Sequence, residues 1–215
     1  STVKYDSAST TKSTDTLKSE ITTAITNYNT NTLQKFDAVY RHSKLTGIID
    51  DVDTSILSNI TTIKIRKSFT PTLLSSNKYD IYFRNALFNP HSGHNSTAGG
   101  ILSSTGFKID GNDNEMFLDD DGAGVVRLYQ ESGGIRTYVN STQGTINYTT
   151  GQITLNSLNI ASISNIRGST STVIELTVTP NSNDVVPVRD QIVELDIANS
   201  TITVTADTFV GGSAD

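Results

Sequence analysis

Residues 144–155 read GTINYTTGQITL, and this stretch decides the fold class predicted for most of the chain. Two short runs of alternating apolar and polar residues flank a Thr-Thr-Gly sequence, which is typical of a tight turn between strands. Because side chains alternate along a strand, one face of the two runs, which contain Ile146 with Tyr148 and Ile153 with Leu155, can pack inward. Asn147 and Thr154 should then face solvent. The stretch therefore predicts a β-hairpin with one apolar face.

The same period of two recurs from residue 59 onward, and turn sequences such as Asp121-Gly122 and Gly133-Gly134 separate the runs. The predicted strands lie at 63–69, 79–83, 106–109, 115–118, 125–129, 135–139, 171–179, 191–197 and 201–205. No alternation of strands with helices points to a parallel sheet. The pattern predicts a predominantly antiparallel β meander.

Helical periodicity precedes the strands. A first apolar stripe follows a candidate N-cap at Asp15 and comprises Leu17, Ile21, Ala24, Ile25 and Tyr28. A second stripe follows Asn31, is expected to end near Gly47, and comprises Leu33, Phe36, Val39 and Tyr40. The predicted fold class is α+β, with an N-terminal helical pair followed by the meander. The predicted organisation is a flexible arm or linker over 1–13, a helical segment over 14–58, a β-rich domain over 59–205 and a C-terminal tail over 206–215.

The helical stripes have two interpretations. Their apolar residues either pack against the chain's own β-layer, or they contribute to a face between subunits. The interface candidates are Leu17, Ile21, Ile25, Tyr28, Phe36 and Tyr40.

Composition limits the possible functions. The chain has 215 residues, of which 35% are hydrophobic, and this low value favours thin β-layers or burial gained by assembly. The absence of Cys excludes disulfide and thiolate chemistry, and folding in a reducing cytosol is expected. A net charge of −6 with scattered Lys and Arg disfavours nucleic acid, and no apolar run predicts a membrane partner. The chain begins at Ser with a polar stretch, so we expect a fragment of a longer polypeptide.

Residues 109–124, IDGNDNEMFLDDDGAG, concentrate carboxylates. Oxygen ligands at alternate positions suit calcium, although the Gly and the distant Glu of an EF-hand loop are missing. The weak calcium candidates are Asp110, Asn112, Asn114, Asp119 and Asp121. The alternative is a solvated acidic hairpin whose Asp and Gly residues form the turn. No cofactor is predicted.

Catalytic patterns are weak. Paired carboxylates suit glycoside hydrolysis, yet these acids lie in predicted turns without aromatic residues to form a cleft. His91 and His94 have an HxxH spacing, but Pro90 and Gly93 predict a loop, in which that spacing fixes no geometry. Neither GxSxG nor a phosphate-binding glycine loop is present. The sequence predicts a protein that is not an enzyme.

Three stretches in order resemble a known family: KFDAVYRHSKLTGIIDDVDTSILSNITTIKIRKSFTP (35–71), GTINYTTGQITL and DVVPVRDQIVELD (184–196). They are similar to the C-terminal part of the baseplate wedge protein of T-even-type contractile-tailed phages, which is related to the baseplate J-like family. The resemblance implies a structural virion protein, assembled in the host cytoplasm. It also implies a homodimer that links wedges into the inner baseplate ring and contacts other wedge proteins. The alternative is a receptor- or carbohydrate-binding β module of a tail fibre or spike.

Overall fold

The computed structural model describes residues 1–92, 100–188 and 191–207. Strands account for 43% of the chain and helices for 16%, so the protein is mostly β. It divides into two compact units: unit 1 comprises Ser1–Thr62 and Asn183–Asp215, and unit 2 comprises Ile63–Ser182. The predicted β-rich domain over 59–205 therefore spans both units.

The regular elements of the described residues have the following bounds. The strands are β1 (Thr2–Asp6), β2 (Ile56–Ile60), β3 (Ile65–Phe69), β4 (Ser76–Tyr82), β5 (Ser103–Ser104), β6 (Phe107–Ile109), β7 (Asn112–Asp120), β8 (Val125–Ser132), β9 (Ile135–Asn147), β10 (Gln152–Ile163), β11 (Ile174–Val178) and β12 (Thr203–Asp207). The helices are α1 (Thr14–Tyr28) and α2 (His42–Asp50), with a π-helical turn at Asn29–Leu33 and a 3-10 turn at Ile197–Asn199.

In unit 1, β1 is the central strand of a three-stranded sheet, with β12 parallel on one side and β2 antiparallel on the other. Val3 and Val204 are partners in this ladder and both are buried. The apolar stripe of α1 is buried as well, and α1 packs on β12. Ser13, rather than Asp15, caps α1, since its side chain accepts a hydrogen bond from the Thr16 amide.

The expected flexible arm over 1–13 differs from the structure, in which Thr2–Asp6 forms a strand. Val3 and Tyr5 alternate with exposed residues and are buried. The run is short, and its neighbour β12 lies far away in the sequence. The Ser1 amino group, for example, donates a hydrogen bond to the carbonyl of Thr201, which is 200 positions away. Local sequence alone could not supply this pairing.

The predicted N-terminal helical pair is wrong, because only α1 is long and no helix covers residues 34–41. The chain leaves the π-helical turn at Gln34, and Asp37 has a positive φ of 61°, which interrupts helical geometry. Tyr40 then forms a bridge with Val185. The second helix begins only at His42, whose amide donates to the Asp184 carboxylate at 2.9 Å, and Gly47 lies inside it. A capping group so distant in sequence is invisible to local analysis.

The predicted antiparallel β meander is also wrong, because the large sheet of unit 2 closes into a barrel of five strands. The strand order is β4-β10-β6-β7-β8-β9, and β9 pairs again with β10. The five strands β10, β6, β7, β8 and β9 therefore form the closed ring, and β4 pairs with β10 outside it. The long strand β10 makes this possible: residues 152–155 pair with β9, and residues 160–163 pair with β6. Ser157, with a φ of 45°, lies between the two parts where the register shifts. The closure leaves fewer open edges on the sheet.

The opening hairpin is confirmed. Residues 144–147 pair antiparallel with 152–155, and Ile146 lies opposite Ile153 with both side chains buried. This hairpin closes the barrel. A smaller sheet, β3-β11-β5, contributes Ile174, Leu176 and Val178 to the same core.

The predicted strand over 191–197 is absent from the described structure. Residues 191–196 lie outside the helices and strands, and a 3-10 turn follows. The Leu195 amide donates to the Asn29 side chain at 2.7 Å, so this segment hydrogen-bonds to the end of α1. Its alternating sequence indicates strand propensity, but a strand also requires a neighbour.

Candidate assembly surface

The predicted interface residues lie mostly inside unit 1. The buried members are Leu17, Ile21, Ile25, Tyr28 and Tyr40. Phe36 is the exception, with 69% of its surface exposed. The stripe of α1 therefore packs in the chain's own core, and Phe36 is the member of the set that is accessible to another subunit.

Tyr40 shows how deeply the end of the second stripe is buried. Its hydroxyl has no hydrogen-bond partner among the described residues. Burial raises the pKa of the Tyr40 phenol, and the neighbouring Tyr28 and Asp184 add to this shift. Tyr40 is therefore a neutral core residue.

Phe36 belongs to a loop that is tied to the C-terminal segment of unit 1. Gln34 donates from its side chain to the Glu194 carboxylate at 3.2 Å, and Tyr40 exchanges backbone hydrogen bonds with Val185. The C-terminal segment exposes Val186 and Ile192. Two connected segments of unit 1 thus carry exposed apolar side chains.

The open face of the unit 1 sheet carries a second set of accessible residues. Ile60 is 70% exposed and lies opposite Thr2 in the ladder, and Thr203 lies opposite Thr2 on the other side. Leu57 on the same strand is also exposed. This face is otherwise rich in Thr and Ser, and it ends with an ion pair between Lys4 and Asp207 at 3.1 Å. Sequence periodicity did not identify Leu57 or Ile60, because exposure here depends on which face the helices cover.

The calcium candidates are not brought together. Asp110 accepts from the Asn159 amide group, and Asn112 accepts from the Asn114 backbone. Asp121 accepts from the backbone amides of Ala123 and Val125, which is a turn-forming role. The Asn114 side chain donates to Gln130. Among the described residues, no group of three or more His, Asp or Glu side chains could hold a metal ion.

Asp119 has a different environment, since it is 1% exposed and forms two ion pairs. Its Oδ1 accepts from Arg127 Nε at 2.9 Å. Its Oδ2 accepts from Arg136 Nη1 at 3.0 Å and from the Tyr138 hydroxyl at 2.9 Å. Sequence analysis missed these partners, because they lie on β8 and β9 and only the ladder of β7, β8 and β9 brings them to Asp119.

The neighbouring Asp120 faces the other side of β7 and is fully buried. It accepts from the backbone amides of Leu102 and Gly122 and from the Tyr148 hydroxyl at 2.6 Å. Burial, together with this hydrogen bond, raises the pKa of the Tyr148 phenol. A Cβ on Gly100 would clash with the Asp120 carboxylate, so the chain approaches closely here. The carboxylates of Asp119 and Asp120 are therefore both engaged by groups of unit 2 itself.

Of the HxxH pair, His91 lies within the described residues and His94 lies outside them. In the part of the chain that the structure describes, helices long and apolar enough to cross a membrane do not occur.

A comparison with protein families gives a match to part of the chain. The match supports a structural protein of a bacteriophage tail. More particularly, residues 1–68 match the family described as baseplate structural protein gp6, C-terminal domain III. The match covers 68 of the 215 residues and includes the whole first segment of unit 1. It supports a structural component of a phage baseplate. No curated protein matches the chain.

Proposed function

We propose that the chain is part of a baseplate wedge subunit of a contractile-tailed phage, related to the baseplate J-like family, which assembles in the host cytoplasm. In this proposal it forms homodimers and links neighbouring wedges into the inner ring of the baseplate. The observation that carries the proposal is the family match over residues 1–68, which covers the first segment of unit 1 and the first six residues of unit 2. The role is structural and not catalytic, which is in keeping with the internal partners of Asp119 and Asp120.

The exposed apolar residues of unit 1 support a subunit contact there. Phe36 and Ile60 are among the most exposed large apolar side chains of unit 1. Complete burial of such a side chain contributes about 1.5–3 kcal/mol. An isologous dimer uses each contact twice, so two such residues per chain can contribute substantially to association.

The mass of the chain in solution, measured by light scattering over a wide concentration range, tests this proposal. We expect twice the mass of the single chain at high concentration. Phe36→Ser and Ile60→Ser should weaken the dimer, each by roughly a hundredfold in Kd, because about 1.5 kcal/mol of burial is lost at each of the two symmetry-related contacts.

Ile135→Ser is the matched control, because Ile135 is exposed to a similar degree, 72%, but lies in unit 2. It should leave the dissociation constant unchanged. A chain that stays monomeric at every concentration would overturn the homodimer. Equal weakening by the control would overturn the assignment of the contact to unit 1.

A further inference from the structure

The outward side chains of β7, β8 and β9 form a ladder of aromatic and charged groups. Phe117 lies opposite Tyr129, and Tyr129 lies opposite Tyr138. The ring centroids of Phe117 and Tyr129 are 5.7 Å apart, and those of Tyr129 and Tyr138 are 6.0 Å apart. Asp119 lies opposite Arg127 in the same ladder. Three aromatic rings thus form a row across three strands.

An arginine guanidinium group lies over each of two rings in this row. Arg127 Cζ lies 4.3 Å from the centroid of the Tyr138 ring, and Arg136 Cζ lies 4.5 Å from that of Tyr129. Both guanidinium groups are also bound to the Asp119 carboxylate. The repeated arrangement is a cation over an aromatic face, held by a carboxylate.

The third ring, Phe117, has carboxylates beside it. It lines a cleft together with Glu115, Tyr129, Glu131, Gly133 and Gly134. Met116 on β7 pairs with Gln130 on β8. Glu115 and Glu131 are the next residues along these two antiparallel strands, so they lie across from each other. Like charges on opposite residues of a sheet are destabilising, and the Glu115 carboxylate lies against Gly106, next to β6. Among the described residues, no cation lies over Phe117 and no ion pair or hydrogen bond engages the Glu115 side chain.

The nearby guanidinium groups are engaged mainly by Asp119. Arg127 Nε binds Asp119 at 2.9 Å and Arg136 Nη1 binds it at 3.0 Å, while Arg136 Nε approaches Glu131 only to 3.8 Å. The carboxylates of Glu115 and Glu131 therefore place negative charge beside the Phe117 ring.

We propose that this cleft binds the cationic end of an arginine or lysine side chain from a partner protein. The bound group lies against Phe117 and pairs with Glu115 and Glu131, and so repeats the arrangement of Arg136 on Tyr129 and Asp119. Arginine fits better than lysine, because a planar guanidinium stacks on a ring while its N–H groups bind carboxylates. A Cβ on Gly133 or Gly134 would meet nothing within 4 Å, so the turn beside the cleft leaves open space for the incoming side chain. The site lies in unit 2, outside residues 1–68, and does not depend on the proposed baseplate function.

Titration of the ¹⁵N-labelled chain with the peptide acetyl-Gly-Arg-Gly-amide tests the proposal. We expect saturable shifts in the amide signals of Phe117, Tyr129, Gly133 and Gly134. The corresponding Lys peptide should bind more weakly, and the neutral Gln peptide should produce no saturable shift. Glu115→Gln should weaken binding of the Arg peptide about fivefold, which corresponds to the loss of one exposed ion pair.

Asp113→Asn is the matched control, since it removes the same charge from the same strand at a residue that does not line the cleft. It should leave the affinity for the Arg peptide unchanged. Glu115→Gln should also keep or raise the Tm of the free chain, because it relieves repulsion by Glu131. No saturable shift with the Arg peptide, equal weakening by the two variants, or a lower Tm for Glu115→Gln would each overturn the proposal.

Discussion

At the scale of single residues, Asp119 illustrates how one carboxylate can organise a sheet face. A buried charge is stable only when it is paired and hydrogen-bonded, and Asp119 has two Arg partners and one Tyr partner. The acidic sequence around it favours a solvated turn or a calcium loop. The structure shows that Asp121 is in the turn while Asp119 is in the sheet, although they are two positions apart.

Asp119→Asn should destabilise the chain by about 3 kcal/mol, because it leaves two guanidinium groups without their shared carboxylate. The free energy of unfolding in urea measures this loss. Asp113→Asn removes the same charge at an exposed position of the same strand and should change stability by less than about 0.5 kcal/mol. Similar losses in the two variants would contradict the importance given to the Asp119 network.

At the scale of elements, the helices show what local patterns miss. All the apolar residues that α1 buries lie within the helix itself, so local periodicity was enough to predict where α1 forms. By contrast, α2 begins at His42 because Asp184 accepts a hydrogen bond from its amide, and it continues through Gly47. A glycine in a helix interior lowers helix propensity, and this position has no side-chain contact that requires it.

Gly47→Ala should therefore stabilise the chain by about 1 kcal/mol, since nothing lies within 4 Å of the added Cβ. Gly100→Ala should destabilise it by about 1–3 kcal/mol, because the new Cβ displaces the Asp120 carboxylate from its buried hydrogen bonds. Thermal or urea unfolding of the two variants distinguishes the effects. Changes of the same sign would contradict this explanation.

At the scale of the whole molecule, the chain leaves unit 1 after Thr62 and returns to it at Asn183. Unit 1 then depends on its C-terminal segment, which supplies β12 and the buried side chains of Val185, Ile202 and Val204. Unit 2 is one continuous segment with a core of its own.

Removal of residues 183–215 should therefore unfold unit 1 and leave unit 2 folded. The three lost side chains alone contribute about 2 kcal/mol each to stability, and β1 also loses its parallel neighbour. Hydrogen exchange measures the result: the amides of α1 should lose protection, while those of β10 should keep it. Loss of protection in β10 as well would show that unit 2 does not fold by itself.

The sequence by itself determined the features that depend on neighbours along the chain. The hairpin at residues 144–155, the α1 stripe and most strands of unit 2 follow from local periods and turn residues. Only the tertiary structure decided the closure of the barrel through β10, the central place of β1, the loss of the predicted strand at 191–197 and the partners of Asp119. Each of these depends on which distant segment becomes a neighbour, and sequence periodicity specifies the buried face of an element but not the element that covers it.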